Sequence, residues 1–119
     1  MTIHRASIRR RVTKDINAQM IASAGRPVFE HYQIEKAILF GSVATGRHSA
    51  KSDVDLILVQ RTNKPYFERF DGLLQDLYRA IPGREIECFI YSPEELARIS
   101  HRAFIRKALQ EGLVIYEHR

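Results

Sequence analysis

Asp53 and Asp55 stand two residues apart where a polar loop gives way to the apolar run LILV. On a strand, that spacing sends both carboxylates from one face and Val54 from the other. Two like charges partly withdrawn from water are stable if a cation holds them or if one keeps its proton. Magnesium is the matching cation, since it prefers carboxylate oxygens together with substrate phosphates. Alone, the pair reads equally well as a turn capped by Ser52 and Asp53, with Asp55 facing water. Gly41 and Ser42, which close the apolar run AILF upstream, shift that balance. Gly41 carries no side chain to obstruct a ligand. Ser42 would begin a helical turn whose backbone N–H groups, with its hydroxyl, could seat a phosphate. A phosphate seat beside a paired-carboxylate metal site is what phosphoryl transfer requires.

Two-metal chemistry calls for a third carboxylate, and Glu87 is the preferred candidate. It lies between Ile86 and Cys88 in IECFIY, where a charge is costly unless paired or liganded. Glu85 shares its face but sits at the entrance of that run beside Arg84, where it reads as a surface ion-pair residue. Arg47, His48 and Lys51 lie in the polar loop between the two motif halves, either as plain solvated loop or in contact with nucleotide or acceptor. The histidines at 4, 31, 48, 101 and 118 show no paired ligand spacing, so no zinc site is expected.

These residues need elements to hold them. Ile16, Met20, Ile21, Val28, Phe29 and Tyr32 predict a helix over 14–32, with Gly25 and Pro27 kinking or splitting it. KAILF (36–40) reads as a strand, SVATG as one helical turn, RHSAKS as a polar loop, and DVDLILVQ (53–60) as a second strand. Pro65 opens a predicted helix with Phe67, Phe70, Leu74, Leu77 and Ile81 as its core-facing stripe, stopped by Pro82 and Gly83. EIECFIY (85–91) is a third strand. Ser92, Pro93 and Glu95 form a capping box for a helical region reaching Gln110, broken near Ser100 and His101. Gly112 marks its stop, and LVIYE (113–117) could add an edge strand. The pattern predicts a small sheet covered by helices.

At 119 residues the chain suffices for one domain that buries roughly two-thirds of its unfolded surface. The net charge of +5, from 19 Lys and Arg against 14 Asp and Glu, favours polyanions such as nucleoside triphosphates or nucleic acid. Much of it comes from Arg5, Arg9, Arg10, Arg11 and Lys14. Residues 1–13 are therefore read as a solvated, flexible basic segment, with a phosphate-binding or partner-binding arm as the alternative, and 14–119 as a single domain. No apolar run is long enough to span a membrane, and the N-terminus has no apolar core of a secretory signal. Cys88, the single cysteine, reads as a buried thiol, which suits a reducing cytoplasm.

Gly41-Ser42, ten residues, then Asp53-x-Asp55, set within AILFGS and SDVDLILV, resembles the signature of the DNA polymerase β-like nucleotidyltransferase superfamily. IECFIYSPEEL and FIRKALQEGLVIYE are similar to the ends of its minimal members, so the resemblance spans 15–117. It implies an α+β fold of α/β/α-like layering, a small mixed sheet packed with helices. It implies that Gly41 and Ser42, aided by Arg47 and Lys51, hold the triphosphate. Asp53, Asp55 and Glu87 would ligate two magnesium ions, with manganese also admissible. An acceptor oxygen would attack the α-phosphorus of ATP, transferring AMP and releasing pyrophosphate. Two positions differ from the usual pattern: Glu87 stands where the family often has Asp, and Thr45 where it often has Arg.

Minimal members are commonly antitoxins that transfer AMP to a tyrosine of a HEPN-domain ribonuclease toxin. The resemblance thus implies a magnesium-dependent protein adenylyltransferase with a HEPN-domain toxin as partner, and no direct nucleic-acid binding. The alternatives are a catalytically weak module that neutralises its partner by contact, and a small-molecule nucleotidyltransferase. Nucleotide preference and homo-oligomerisation stay open.

Overall fold

A computed structural model describes residues 16–47, 49 and 52–118. The basic segment 1–13, His48 and Lys51 lie outside the described residues. Helix α1 (Ala18–His31) leads to strand β1 (Ile34–Phe40), the short helix α2 (Gly41–Thr45) and strand β2 (Val54–Gln60). A 3-10 turn (Tyr66–Phe70) and helix α3 (Leu73–Ala80) precede β3 (Ile86–Tyr91). Helices α4 (Pro93–Ile99) and α5 (Ala103–Glu111) and strand β4 (Leu113–Glu117) complete the chain.

The sheet order is β3-β2-β1-β4. β1 runs antiparallel to β2 and β4, while β2 and β3 are parallel, so the sheet is mixed. The two faces have separate cores. On one, Leu39, Leu56, Leu58 and Ile90 pack with Ile21 and Phe29 of α1 and Leu73 and Leu77 of α3. On the other, Ile38, Phe40 and Ile57 pack with Ile105 and Ala108 of α5. Full burial of each large aliphatic side chain contributes about 1.5–3 kcal/mol. This is the expected α+β fold with helices on both faces. Among the described residues, no helix is long and apolar enough to cross a membrane.

Two element readings change. Gly25 and Pro27 do not split α1, which runs unbroken through both. Gly25 is required there, since a Cβ would stand 2.8 Å from the Phe29 ring folded back over it. The helix predicted from Pro65 is instead the 3-10 turn followed by α3. Gly72 separates them at φ +77°, and a Cβ there would meet the Tyr32 hydroxyl at 2.7 Å. Of the expected core stripe, Leu77 and Ile81 are buried and Phe70 and Leu74 pack against the core, joined by buried Leu73, while Phe67 is 84% exposed.

The capping box forms as expected. The Ser92 hydroxyl accepts from Glu95 N at 3.2 Å, and Glu95 Oε1 accepts from Ser92 N at 2.8 Å. Glu95 also does something the capping reading missed. It takes a two-pronged interaction from buried Arg69, at 2.6 and 2.9 Å, while Arg69 donates further to the carbonyls of Lys64 and Ile90. This network ties the 3-10 turn to the end of β3 and the start of α4. The Arg69 contacts, then the Ser92 backbone, hold the Glu95 carboxyl down at about 2.

Candidate active site

The parallel register of β2 and β3 sets Val54 against Ile86 and Asp55 against Glu87. Strand alternation then turns Asp55 and Glu87 toward the face that α5 covers, and Asp53, just ahead of β2, follows the same direction. Each of the three offers one carboxylate oxygen, and these oxygens lie within 4.8 Å of one another. Asp53 and Glu87 are exposed and Asp55 is half-buried. Burial first, then the facing Glu87 and Asp53 carboxylates, push the Asp55 carboxyl up to about 6. Left alone, such a cluster repels itself.

Glu85 lies outside this cluster. Its carboxylate accepts from the Tyr78 hydroxyl at 3.1 Å, and the same hydroxyl accepts from Ile86 N at 3.1 Å. Arg84 is buried instead of standing at the surface beside Glu85, and it donates to the carbonyls of Ser49 and Ser52 at 3.1 Å each. It thereby fastens the loop before Asp53 to the entrance of β3.

Gly41 serves the carboxylates as much as any ligand. It adopts φ +77°, where L side chains are strained, and a Cβ there would collide with Asp55 Oδ2. The absent side chain lets the Phe40–Gly41 turn close directly over Asp55, the residue paired with Phe40. The α2 turn that follows ends at Gly46 in the left-handed region. The Thr45 hydroxyl donates to the carbonyls of Gly41 and Ser42 at 3.3 Å and accepts from Arg47 Nε at 3.3 Å. Thr45 thus anchors Arg47, the next arginine along.

These parts line an open cleft of about 430 Å³, within the size range of small-ligand sites. Gly41, Ser42, Arg47, Asp55 and Glu87 are on its walls. Lys51 lies outside the described residues. Sequence reasoning missed the opposite wall, where α5 contributes Phe104, Lys107 and Glu111. Their one signal is helical: positions 104, 107, 108 and 111 share a face. The donor set is three carboxylates without sulfur or imidazole, which fits a hard divalent cation of the magnesium or manganese type.

Comparison with known proteins agrees with this geometry. Residues 26–119 match the family described as polymerase beta, nucleotidyltransferase. A relative from Methanocaldococcus jannaschii, assigned by inference as a protein adenylyltransferase, is 31% identical over 84 residues, covering 71% of this chain and 80% of that protein. Among solved structures, a chain in a toxin-antitoxin crystal structure with AMP-PNP superposes with a TM-score of 0.63 at 16% identity, covering 82% of this chain and 74% of that one. A chain in the complex of tri-AMPylated Shewanella oneidensis HEPN toxin with MNT antitoxin gives 0.57 at 13% identity, covering 85% and 73%. At such identities the structural likeness shows a shared fold.

Proposed function

The chain belongs to the polymerase β nucleotidyltransferase family, and from that premise we propose that it is an antitoxin that transfers AMP from ATP to a tyrosine of a HEPN-domain toxin. The observation that carries the reading is the convergence of Asp53, Asp55 and Glu87 beside the Gly41-Ser42 turn and Arg47. The protein-adenylyltransferase relative and the toxin–antitoxin complexes that share the fold support the choice of a protein acceptor.

Ser42 and the backbone of the Gly41 turn hold the triphosphate, with Arg47 and Lys51 contributing charge. Arg47, braced by Thr45, takes the place of the family's usual arginine. Asp53, Asp55 and Glu87 would hold two divalent cations, magnesium foremost. Such ions, when bound, offset the carboxylate and phosphate charges and make the acceptor oxygen a better nucleophile. The tyrosine oxygen bonds to the α-phosphorus as the bond to the bridging oxygen of pyrophosphate breaks. The phenolic proton passes to a carboxylate oxygen of the cluster, and pyrophosphate leaves. In this reading residues 14–119 act as one cytoplasmic catalytic domain, with the basic segment 1–13 outside it.

The test is to incubate the full chain with ATP, magnesium and the protein encoded beside it, and to weigh that neighbour. The expected result is a gain of AMP that disappears with Asp53→Ala or Asp55→Ala. Inhibition of the neighbour with no mass change, equally strong with the double variant, would replace enzyme action with inhibition by contact.

A further inference from the structure

We propose that α5 is the second half of the nucleotide site, with Phe104 stacking a purine base and Lys107 binding the β- and γ-phosphates. This rests on the nucleotidyltransferase reading and extends it to residues outside both motif segments.

The argument begins with charge. A triphosphate entering this cleft meets three carboxylates, so any cation on the walls that is not already committed is valuable. Among the described residues the cleft presents Arg47 and Lys107. Arg47 donates its Nε to Thr45. Lys107 makes no ion pair among the described residues, although Glu111 stands one helical turn further along the same wall. Its ammonium is therefore available to a ligand, and as a compact charge on a flexible stem it suits terminal phosphates.

Phe104 lies three residues before Lys107, hence on the same face of α5. It is 54% exposed yet supported from beneath. Its ring is edge-to-face with both Phe40, at 5.7 Å and 86°, and Phe89, at 5.8 Å and 65°. Phe40 immediately precedes Gly41, and Phe89 lies two residues beyond Glu87 on the same face of β3. The ring thus packs on the two strand residues that flank the carboxylates, and it lines the same cleft as Asp55 and Glu87. Ile105 and Ala108 seat α5 against the sheet, with Ala108 at the floor of the cleft. A fixed, half-exposed aromatic ring one turn from a free ammonium is suited to a flat base joined to a phosphate chain. Stacking is stronger for the larger purine ring system.

The test measures equilibrium binding of ATP, AMP and inorganic tripolyphosphate to the full chain, with magnesium present. Lys107→Ala should weaken ATP and tripolyphosphate by about tenfold or more and leave AMP unchanged, while Lys107→Arg retains affinity. Phe104→Ala and Phe104→Leu should weaken ATP and AMP alike by about fivefold or more and leave tripolyphosphate unchanged. Thermal melting of each variant confirms that it is folded. Wild-type affinity for ATP that neither Lys107→Ala nor Phe104→Ala reduces would overturn this assignment alone. So would losses that ignore phosphate number or the presence of a base. If the wild-type chain binds no nucleotide, the assignment falls together with the proposed function.

Discussion

Replacing Asp55 with asparagine should stabilise the metal-free protein while disabling it. The native carboxyl is lifted from 3.8 to about 6 by burial and by the facing Glu87 and Asp53. Each unit corresponds to about 1.36 kcal/mol, so a shift of about two units sets a ceiling of about 3 kcal/mol. Asp55 is only half-buried, and solvent screening reduces this to about 1.5 kcal/mol. The sign follows from the direction of the shift. A carboxyl that titrates higher in the folded state costs nothing below 3.8, where both states are protonated. The cost grows between 3.8 and about 6 and is complete above that.

Asparagine carries no charge at any pH and keeps the side chain's shape. In EDTA at neutral pH the variant should therefore melt about 6–12 °C above wild type, given the size of the domain. The gap should close as the pH falls to the ordinary aspartate range, since all other titrating groups are common to both proteins. Magnesium should raise the melting temperature of wild type more than that of the variant. Calorimetry or circular dichroism across pH, with and without magnesium, reads all of this. A variant no more stable than wild type in EDTA, or a gap independent of pH, would refute the view that these carboxylates are held together at a cost.

Three further perturbations test the surrounding structure. Gly41→Ala should lose about 2 kcal/mol in chemical denaturation, from the left-handed backbone and the collision with Asp55, and should weaken ATP binding. Glu95→Gln should lose about 2–3 kcal/mol by leaving buried Arg69 half-paired. Because the Glu95 carboxyl is held down at about 2, its contribution is complete above 4.5 and fades as pH falls toward 2, so acid unfolding of wild type should be steeper than that of the variant. Phe67→Ser should change stability by less than about 0.5 kcal/mol, whereas Leu77→Ala should cost about 2–5 kcal/mol. Equal losses at the two positions would restore the single long helix that the sequence suggested.

That helix shows where reading a sequence by period reaches its limit. Pro65 and the spacing of Phe67, Phe70, Leu74 and Leu77 fit one amphipathic helix, and that period outweighs the turn signal of Asp71-Gly72 in their midst. The break falls at Gly72, whose positive φ interrupts the helix, and the Tyr32 hydroxyl fills the space that a Cβ there would need. Arg69 was hidden for a related reason. A charged residue reads as solvated until its partner, 26 positions away, is brought against it. The strands and the caps were legible because alternation and capping are local rules. The cleft wall on α5 was not, since Phe104 and Lys107 look like any exposed helix face until the sheet places α2 and β3 opposite them.

The carboxylate cluster was legible because it violates the rules that the rest of the chain obeys. Like charges directly opposite one another on paired strands are destabilising, and here Asp55 faces Glu87 in register. Slipping β3 by one residue would relieve the repulsion but would turn Ile86 and Ile90 from the core to the other face. The apolar pattern of IECFIY therefore locks in a pairing that the charges alone would reject. Glutamate in place of aspartate at 87 fits that constraint. β3 is an edge strand, and Asp53 lies outside the paired part of β2. The longer side chain still brings an oxygen within 4.8 Å of those of Asp53 and Asp55, so the three converge with the strand pairing in register.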